Sequence, residues 1–235
     1  MRKMKKKVLV TGGNKGVGLA ATKKFLGNGF EVVVVARDFS SFKLKDNHLE
    51  TIEFDLVNYE KIDQLAKKVG RIDILINNAG IMHALPFDNY PEKKMEEILA
   101  INIKSPVALI REFSKGMIEK KEGRIVNVAS VAGHIGHPDI WYGVTKAGMI
   151  NMTKSFAKLL GNKGIVVNAV ASGPVETGML KIIPEARKKE LKRATFTGRF
   201  AKPEEVTDAI YWLATENPSY INGICIDINN GAFLR

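Results

Sequence analysis

The stretch Thr11-Gly12-Gly13-Asn14-Lys15-Gly16-Val17-Gly18 decides the fold. Before it, residues 7–11 (KVLVT) form a short apolar run of strand length, and residues 17–28 behind it carry a helical pattern. The glycines at 12, 16 and 18 are spaced G-x-x-x-G-x-G rather than G-x-G-x-x-G. Either spacing does the same physical work. Glycine lets the backbone turn sharply and approach a pyrophosphate, whose charge then rests on a helix N-terminus. A strand, a glycine turn and a helix at the start of the chain point to a dinucleotide-binding βαβ unit.

Outward from this turn, the same alternation continues to the end of the chain. Further strands are expected at 31–36, 51–54, 72–76, 123–129, 164–171 and 222–228. Several are nearly continuous runs of β-branched residues, as parallel strands buried on both faces require. Helices are expected at 17–28, 58–70, 91–119, 139–161 and 203–215. Residues 37–50 leave room only for a short or irregular helix between strands two and three. With no repeat and no linker, residues 1–235 read as one α/β domain with a doubly wound parallel sheet.

About twenty residues past the turn, the second strand ends where an adenosine ribose should lie. The sequence there is Ala36-Arg37, not an acidic residue. Arg37 can pair with a 2′-phosphate, and Lys15 can add a second positive charge, so NADP(H) is expected over NAD(H). Asp38, one position further, pulls the other way. Asp55, past strand three, suits either the adenine amino group or a turn.

Composition narrows the remaining possibilities. Cys225 is the only cysteine, so no intramolecular disulfide can form, and a reducing cytoplasm is expected. The apolar run after the basic start (Arg2, Lys3, Lys5, Lys6, Lys7) is too short for a signal peptide. No stretch approaches the roughly 20 apolar residues of a membrane span. The net charge of +11 attracts anions. No zinc-finger spacing, recognition-helix pattern or basic–aromatic interleaving turns that charge into a nucleic-acid reading.

Three further motifs complete the pattern: Asn77-Asn78-Ala79-Gly80, Ser130 within VNVAS, and Tyr142-Gly143-Val144-Thr145-Lys146. With the glycine turn, they make the chain resemble the short-chain dehydrogenase/reductase family over nearly its whole length. The late segments GRFAKPEEV (198–206) and INGICIDINNG (221–231) resemble its 3-oxoacyl-acyl-carrier-protein reductases in particular. The resemblance implies a Rossmann-type, seven-stranded parallel sheet, commonly in a homotetramer or homodimer. It implies a cofactor cradle of Gly12, Asn14, Lys15, Gly16, Val17, Gly18, Arg37, Asp55, Asn78, Ala79 and Gly80, closed by Tyr142, Lys146, Gly173, Val175 and Thr177. It also implies a catalytic set of Asn102, Ser130, Tyr142 and Lys146, with Asn102 keeping a water chain open to Lys146. The chain departs from the family pattern at Ser172-Gly173-Pro174, at Asn229-Asn230-Gly231, and in a Ser130–Tyr142 spacing one residue short.

Carbonyl reduction needs a hydride and a proton for the developing alkoxide. A free tyrosine titrates near 10, and lowering it to ~7 takes about 4 kcal/mol. One ammonium near 4 Å supplies about that much at an effective dielectric of 20. Positions i and i+4 share a helix face, so Lys146 is expected to lower Tyr142. Ser130 would hold the substrate oxygen.

His134 and His137 lie between Ser130 and Tyr142, with Asp139 the only carboxylate near them in sequence. No metal is expected, and the two histidines are assigned to the substrate pocket. Trp141, Met179, Leu180, Ile182 and Ile183 suit either an apolar pocket or helix packing. Lys120, Lys121, Arg124, Lys181 and Arg187 form a basic set able to dock an acidic acyl carrier protein near the cleft. The rival to an enzyme is a regulator that senses NADP(H) without turnover, but all four catalytic groups are present.

Overall fold

The computed structural model describes residues 5–234; Arg2 and Lys3 of the basic start lie outside the described residues. Seven strands form one sheet: β1 (Lys7–Thr11), β2 (Glu31–Ala36), β3 (Leu49–Glu53), β4 (Ile74–Asn77), β5 (Gly123–Val128), β6 (Ile165–Ser172) and β7 (Cys225–Ile228). The strand order is β3-β2-β1-β4-β5-β6-β7, and every pairing is parallel. The order reverses between β1 and β4, so the carboxyl ends of those two strands open a crevice for a ligand.

Strand periodicity assigns the two layers of helices. Leu9 and Ile125 point to one face and pack with α2 (Ile62–Val69), α4 (Ser105–Lys120) and the end of α6 (Ile140–Leu160). Val8, Val10, Val126 and Val128 point to the other and pack with α1 (Gly16–Gly27) and α8 (Pro203–Thr215). The apolar runs of β1 and β5 are therefore buried twice over, which is why neither strand alternates.

The expected elements are present with shifts of up to four residues at their ends. Residues 37–48 run through turns without a helical segment, the irregular extreme of what their length allows. The long helix expected at 91–119 is two, α3 (Glu92–Leu99) and α4, joined by a π-helical turn at Ala100–Lys104. Among the described residues, two α-helices lie outside the sequence expectation. One is the single turn α5 (Ala132–Ile135); the other is α7 (Glu185–Arg193), charged all round and so without a periodic apolar face. Among the described residues, no helix is long and apolar enough to cross a membrane.

Candidate active site

Thr11 closes the crevice at the end of β1. Its Oγ1 accepts from the backbone N–H groups of Asn78 and Ala79, each at 3.0 Å. The Asn78 side chain returns the contact, donating to the Thr11 carbonyl at 2.9 Å. The glycine turn is thereby fixed to the residues after β4. Gly12 and Gly16 have φ of +65° and +54°, open to glycine at little cost. A methyl group on Gly12 would sit 3.1 Å from Asn78 Nδ2, and one on Gly18 would overlap the Gly12 carbonyl oxygen. Lys15 precedes α1 in an extended conformation and its side chain caps none of the first N–H groups, which leaves that helix end available to an anion. Val17 packs in the core beside α8. Thr177 leans over Gly16, whose added Cβ would meet its methyl at 3.2 Å, and between them opens a cavity of about 560 Å3 that reaches Leu180 and Lys181.

At the adenosine end, Arg37 is half exposed and lies 3.9 Å from Glu97 of α3. Asp38 is engaged elsewhere. Its carboxylate accepts from Ser40 N at 2.7 Å and Ser40 Oγ at 2.8 Å, and those bonds hold it below the usual carboxylate range. Asn14 steadies the same segment by donating to the Asp38 carbonyl at 2.8 Å. Asp55 Oδ1 accepts from Val57 N at 3.0 Å, so the turn that its sequence position allowed is formed.

The second cluster sits above the ends of β5 and β6. Tyr142 (8% exposed), Lys146 (4%), Ser130 (9%) and Asn102 (0%) are all buried. Lys146 Nζ lies 5.7 Å from the Tyr142 ring centroid and donates to the Val128 carbonyl at 2.8 Å. Gly80 sits between two of these groups: a methyl on it would stand 3.4 Å from both Asn102 Oδ1 and Lys146 Nζ. Gly173 donates its N–H to Ile228 O at 2.9 Å, and Val175 bridges to Ala201, so the loop after β6 is tied down on both sides.

Two sequence expectations change here. Tyr142 is not lowered. Burial raises its pKa, a hydrogen bond with Ser130 opposes that rise, and the Asp139 charge adds to it. The lysine expected to lower it is itself desolvated, down to about 8, and directed at a carbonyl. Asn102, in the π-helical turn, accepts from Ile81 N at 2.9 Å and donates to Ile81 O and Thr145 Oγ1, each at 3.0 Å. Both ends of its amide are thus occupied by protein groups.

Asp139 is the site residue that sequence reasoning missed. It caps α6 by accepting from Tyr142 N at 3.1 Å, and its other oxygen accepts from His83 N at 3.1 Å and Ala84 N at 2.8 Å. One buried carboxylate therefore fixes the tyrosine's helix to the loop after the NNAG segment. The signal available was an Asp three residues before the tyrosine at a helix start, an N-cap position. The apolar candidates divide. Trp141 packs beside Tyr142 and Ile98, whereas Met179 and Ile182 are exposed.

The basic set also divides. Lys120, Lys121 and Arg124 lie at the end of α4 and the start of β5, at the opposite end of that strand from Ser130. Six residues of strand put them about 15 Å or more from the cleft. Arg124 is further committed to the Asn217 side chain and Lys120 to Asp73. They cannot serve a partner docked at the cleft. Lys181 and Arg187 remain on the cleft side, and the Arg187 charge is close enough to oppose protonation of His137.

Comparison with known proteins agrees with this geometry. Residues 6–188 match the short chain dehydrogenase family model. A 3-oxoacyl-[acyl-carrier-protein] reductase of Thermotoga maritima is 36% identical, with all of both chains covered. Another, from Aquifex aeolicus, is 35% identical over 96% of each chain. Among solved structures, 4-hydroxyisoleucine dehydrogenase complexed with NADH superposes with a TM-score of 0.91 at 28% identity, covering 97% of this chain and 98% of the other. ElxO with NADPH bound superposes at 0.87 and 29% identity, covering 97% and 99%.

Proposed function

Because the chain belongs to the short-chain dehydrogenase family, we propose that it reduces a ketone to a secondary alcohol with NADPH, using Tyr142 as the proton donor. It is an oxidoreductase acting on CH–OH and C=O groups. The observation that carries the finer reading is the burial of Tyr142 and Lys146 side by side over the end of β5, with Ser130 buried beside them.

The crevice suits a dinucleotide, because the turn that Gly12 and Gly18 allow to pack closely against Asn78 and itself delivers the uncapped N-terminus of α1 to the end of β1. Gly12, Asn14, Lys15, Gly16, Val17 and Gly18 would hold the pyrophosphate. Asn78, Ala79 and Gly80 would border the cofactor, and the second carboxylate oxygen of Asp55 would face the adenine. Gly173, Val175 and Thr177 would close over the nicotinamide end. When bound, the nicotinamide supplies the hydride. Preference for the 2′-phosphate is supported by the exposed Arg37, by Lys15, and by the engagement of Asp38 with Ser40. That engagement turns the nearest carboxylate toward Ser40, which lessens its competition for the ribose hydroxyls.

Ser130 Oγ orients the substrate carbonyl oxygen, and Tyr142 gives its phenolic proton to that oxygen as negative charge develops. A raised tyrosine pKa keeps the phenol protonated at neutral pH, the state that reduction consumes. Lys146, near 8, is still charged at pH 7, so the ammonium stands beside the phenolate as it forms and limits its cost. Asn102 acts through position, holding Ile81 and Thr145 around the lysine.

A 3-oxoacyl chain on an acidic carrier protein is the substrate this reading favours. The Thermotoga and Aquifex relatives support it, as do Lys181 and Arg187 on the cleft side. Assembly as a homotetramer or homodimer, residence in the cytoplasm and folding of residues 1–235 as one domain belong to the same reading. The lone Cys225 supports the compartment and the single seven-stranded sheet supports the domain. The test is a steady-state screen of NADPH and NADH against carrier-linked 3-oxoacyl substrates, free thioesters and small ketones. A preference for NADH, or equal turnover of small ketones and carrier-linked substrate, would overturn the corresponding part.

A further inference from the structure

Outside the cleft, β7 places Cys225 and Asp227 two residues apart, so both side chains leave the same face of the strand. His134 of α5 comes to meet them. One ligand atom from each of the three residues lies within 4.8 Å of the others. His134 Nε2 is 3.2 Å from Asp227 Oδ1, and both side chains are largely buried. Phe233 stacks on the imidazole at 5.6 Å with 18° between the rings, which fixes its plane.

We propose that His134, Cys225 and Asp227 form a binding site for a thiophilic divalent cation of the zinc class. An imidazole, a thiolate and a carboxylate are the ligand types zinc takes, and the sulfur selects against magnesium and calcium. Bonds of about 2.0–2.3 Å in a tetrahedron hold neighbouring ligand atoms about 3.3–3.6 Å apart. The histidine and aspartate already meet that spacing. The Cys225 sulfur, within 4.8 Å of both, has at most about 1.5 Å to close. Asp227 also lines a cavity of about 290 Å3 with Gly173, Asn229 and Asn230, which gives the ion a route in and leaves room for a water as fourth ligand.

Spacing along the chain hides such a site. Near His134 and His137 the only carboxylate is Asp139, and its oxygens are taken by three backbone N–H groups. The other two ligands come from the last strand. An ion here ties α5, which begins two residues after Ser130, to the edge strand β7. Its role is to brace the substrate-side loop, with no part in hydride or proton transfer.

Titration of the full chain, without a histidine tag, with Co2+ tests this directly. The expected result is a thiolate-to-cobalt charge-transfer band that saturates near one ion per chain, is displaced by Zn2+, and is accompanied by a rise in thermal midpoint. Cys225→Ser should abolish the band. His134→Gln should weaken the binding strongly, with circular dichroism confirming that the variant is folded. Absence of the band at stoichiometric Co2+, or an undiminished band in His134→Gln, overturns the proposal.

Discussion

Around the glycine turn, the groups that face the cleft are backbone amides set by Gly12, Gly16 and Gly18. Around Tyr142, they are buried side chains delivered by the π-helical turn, the loop after β5, and α6. The first wall depends on which positions lack a side chain. The second depends on side chains that must be placed, desolvated and charged correctly at once. The two walls should therefore fail differently: a change in the backbone-built wall should alter cofactor affinity, and a change in the side-chain-built wall should alter turnover.

The largest expected effect is on the second wall. Tyr142→Phe keeps the ring and removes the proton, so kcat should fall by about 10²–10⁴ with cofactor binding unchanged. Steady-state kinetics together with cofactor titration reads both quantities. Full activity in this variant would end the assignment of Tyr142. A parallel loss of NADPH affinity would end the separation between the two walls.

Arg37→Ala is the matching change on the cofactor side, at a charged side chain that borders the first wall at its adenosine end. Loss of a charge-assisted contact to the 2′-phosphate is worth about 1.5–3 kcal/mol, so KM for NADPH should rise by about ten- to a hundredfold. KM for NADH should stay level, because NADH lacks that phosphate. Glu97, 3.9 Å from the guanidinium, competes for it in the absence of cofactor. Glu97→Gln should accordingly tighten NADPH a little. An equal loss for both cofactors in Arg37→Ala would show that the arginine supports the loop and does not read the phosphate.

Lys146→Met should lower turnover and yet stabilise the cofactor-free protein. The lysine's folded pKa of about 8 lies below its ordinary 10.5. The unfolded chain then binds more protons between those values, so wild-type stability rises with pH across that window. Below pH 8 the buried ammonium costs about 3 kcal/mol, reduced to about 2 by the bond to Val128 O that methionine cannot make. Urea unfolding at pH 7 should register that gain in the variant. By pH 10.5 and above, the gain should be gone. A destabilised variant at pH 7 would mean that the lysine's hydrogen bond outweighs its desolvation.

The same contrast explains what could be read before the structure was known. The glycine turn, NNAG and the Tyr142–Lys146 spacing are local, so residues within a few positions of each other specify them. The strands were legible because burial on both faces leaves continuous apolar runs. Helix α7 was not, since a helix charged all round has no periodic face to detect. Arg124 looked like a docking group because charge is visible in sequence, whereas the end of the sheet on which it sits is not. The direction of the tyrosine's pKa is hidden for a related reason. Spacing places Lys146 near it but says nothing of the burial that raises one group and lowers the other. Sequence therefore reveals contacts made along the chain, and conceals those whose sign depends on solvent.

Asp139 offers the smallest and most discriminating change. Replacing it with asparagine keeps the shape but gives one of its donor-facing positions an NH2 group, opposite Tyr142 N or opposite the His83 and Ala84 N–H groups. A loss of about 1.5 kcal/mol follows from one such mismatch, so kcat should fall by about tenfold at most. A purely structural role would stop there. The carboxylate charge, however, also helps to raise Tyr142, and asparagine removes it. Reduction needs the protonated phenol and declines as pH passes its pKa, so in Asp139→Asn that decline should begin at lower pH than in the parent. Oxidation of the alcohol, which needs the phenolate, should gain at neutral pH relative to reduction. If both limbs of the pH profile stay where they are while kcat drops, Asp139 only anchors the helix. If the decline moves down, the residue that caps α6 also keeps the phenol protonated, and the side-chain-built wall sets the favoured direction of the reaction.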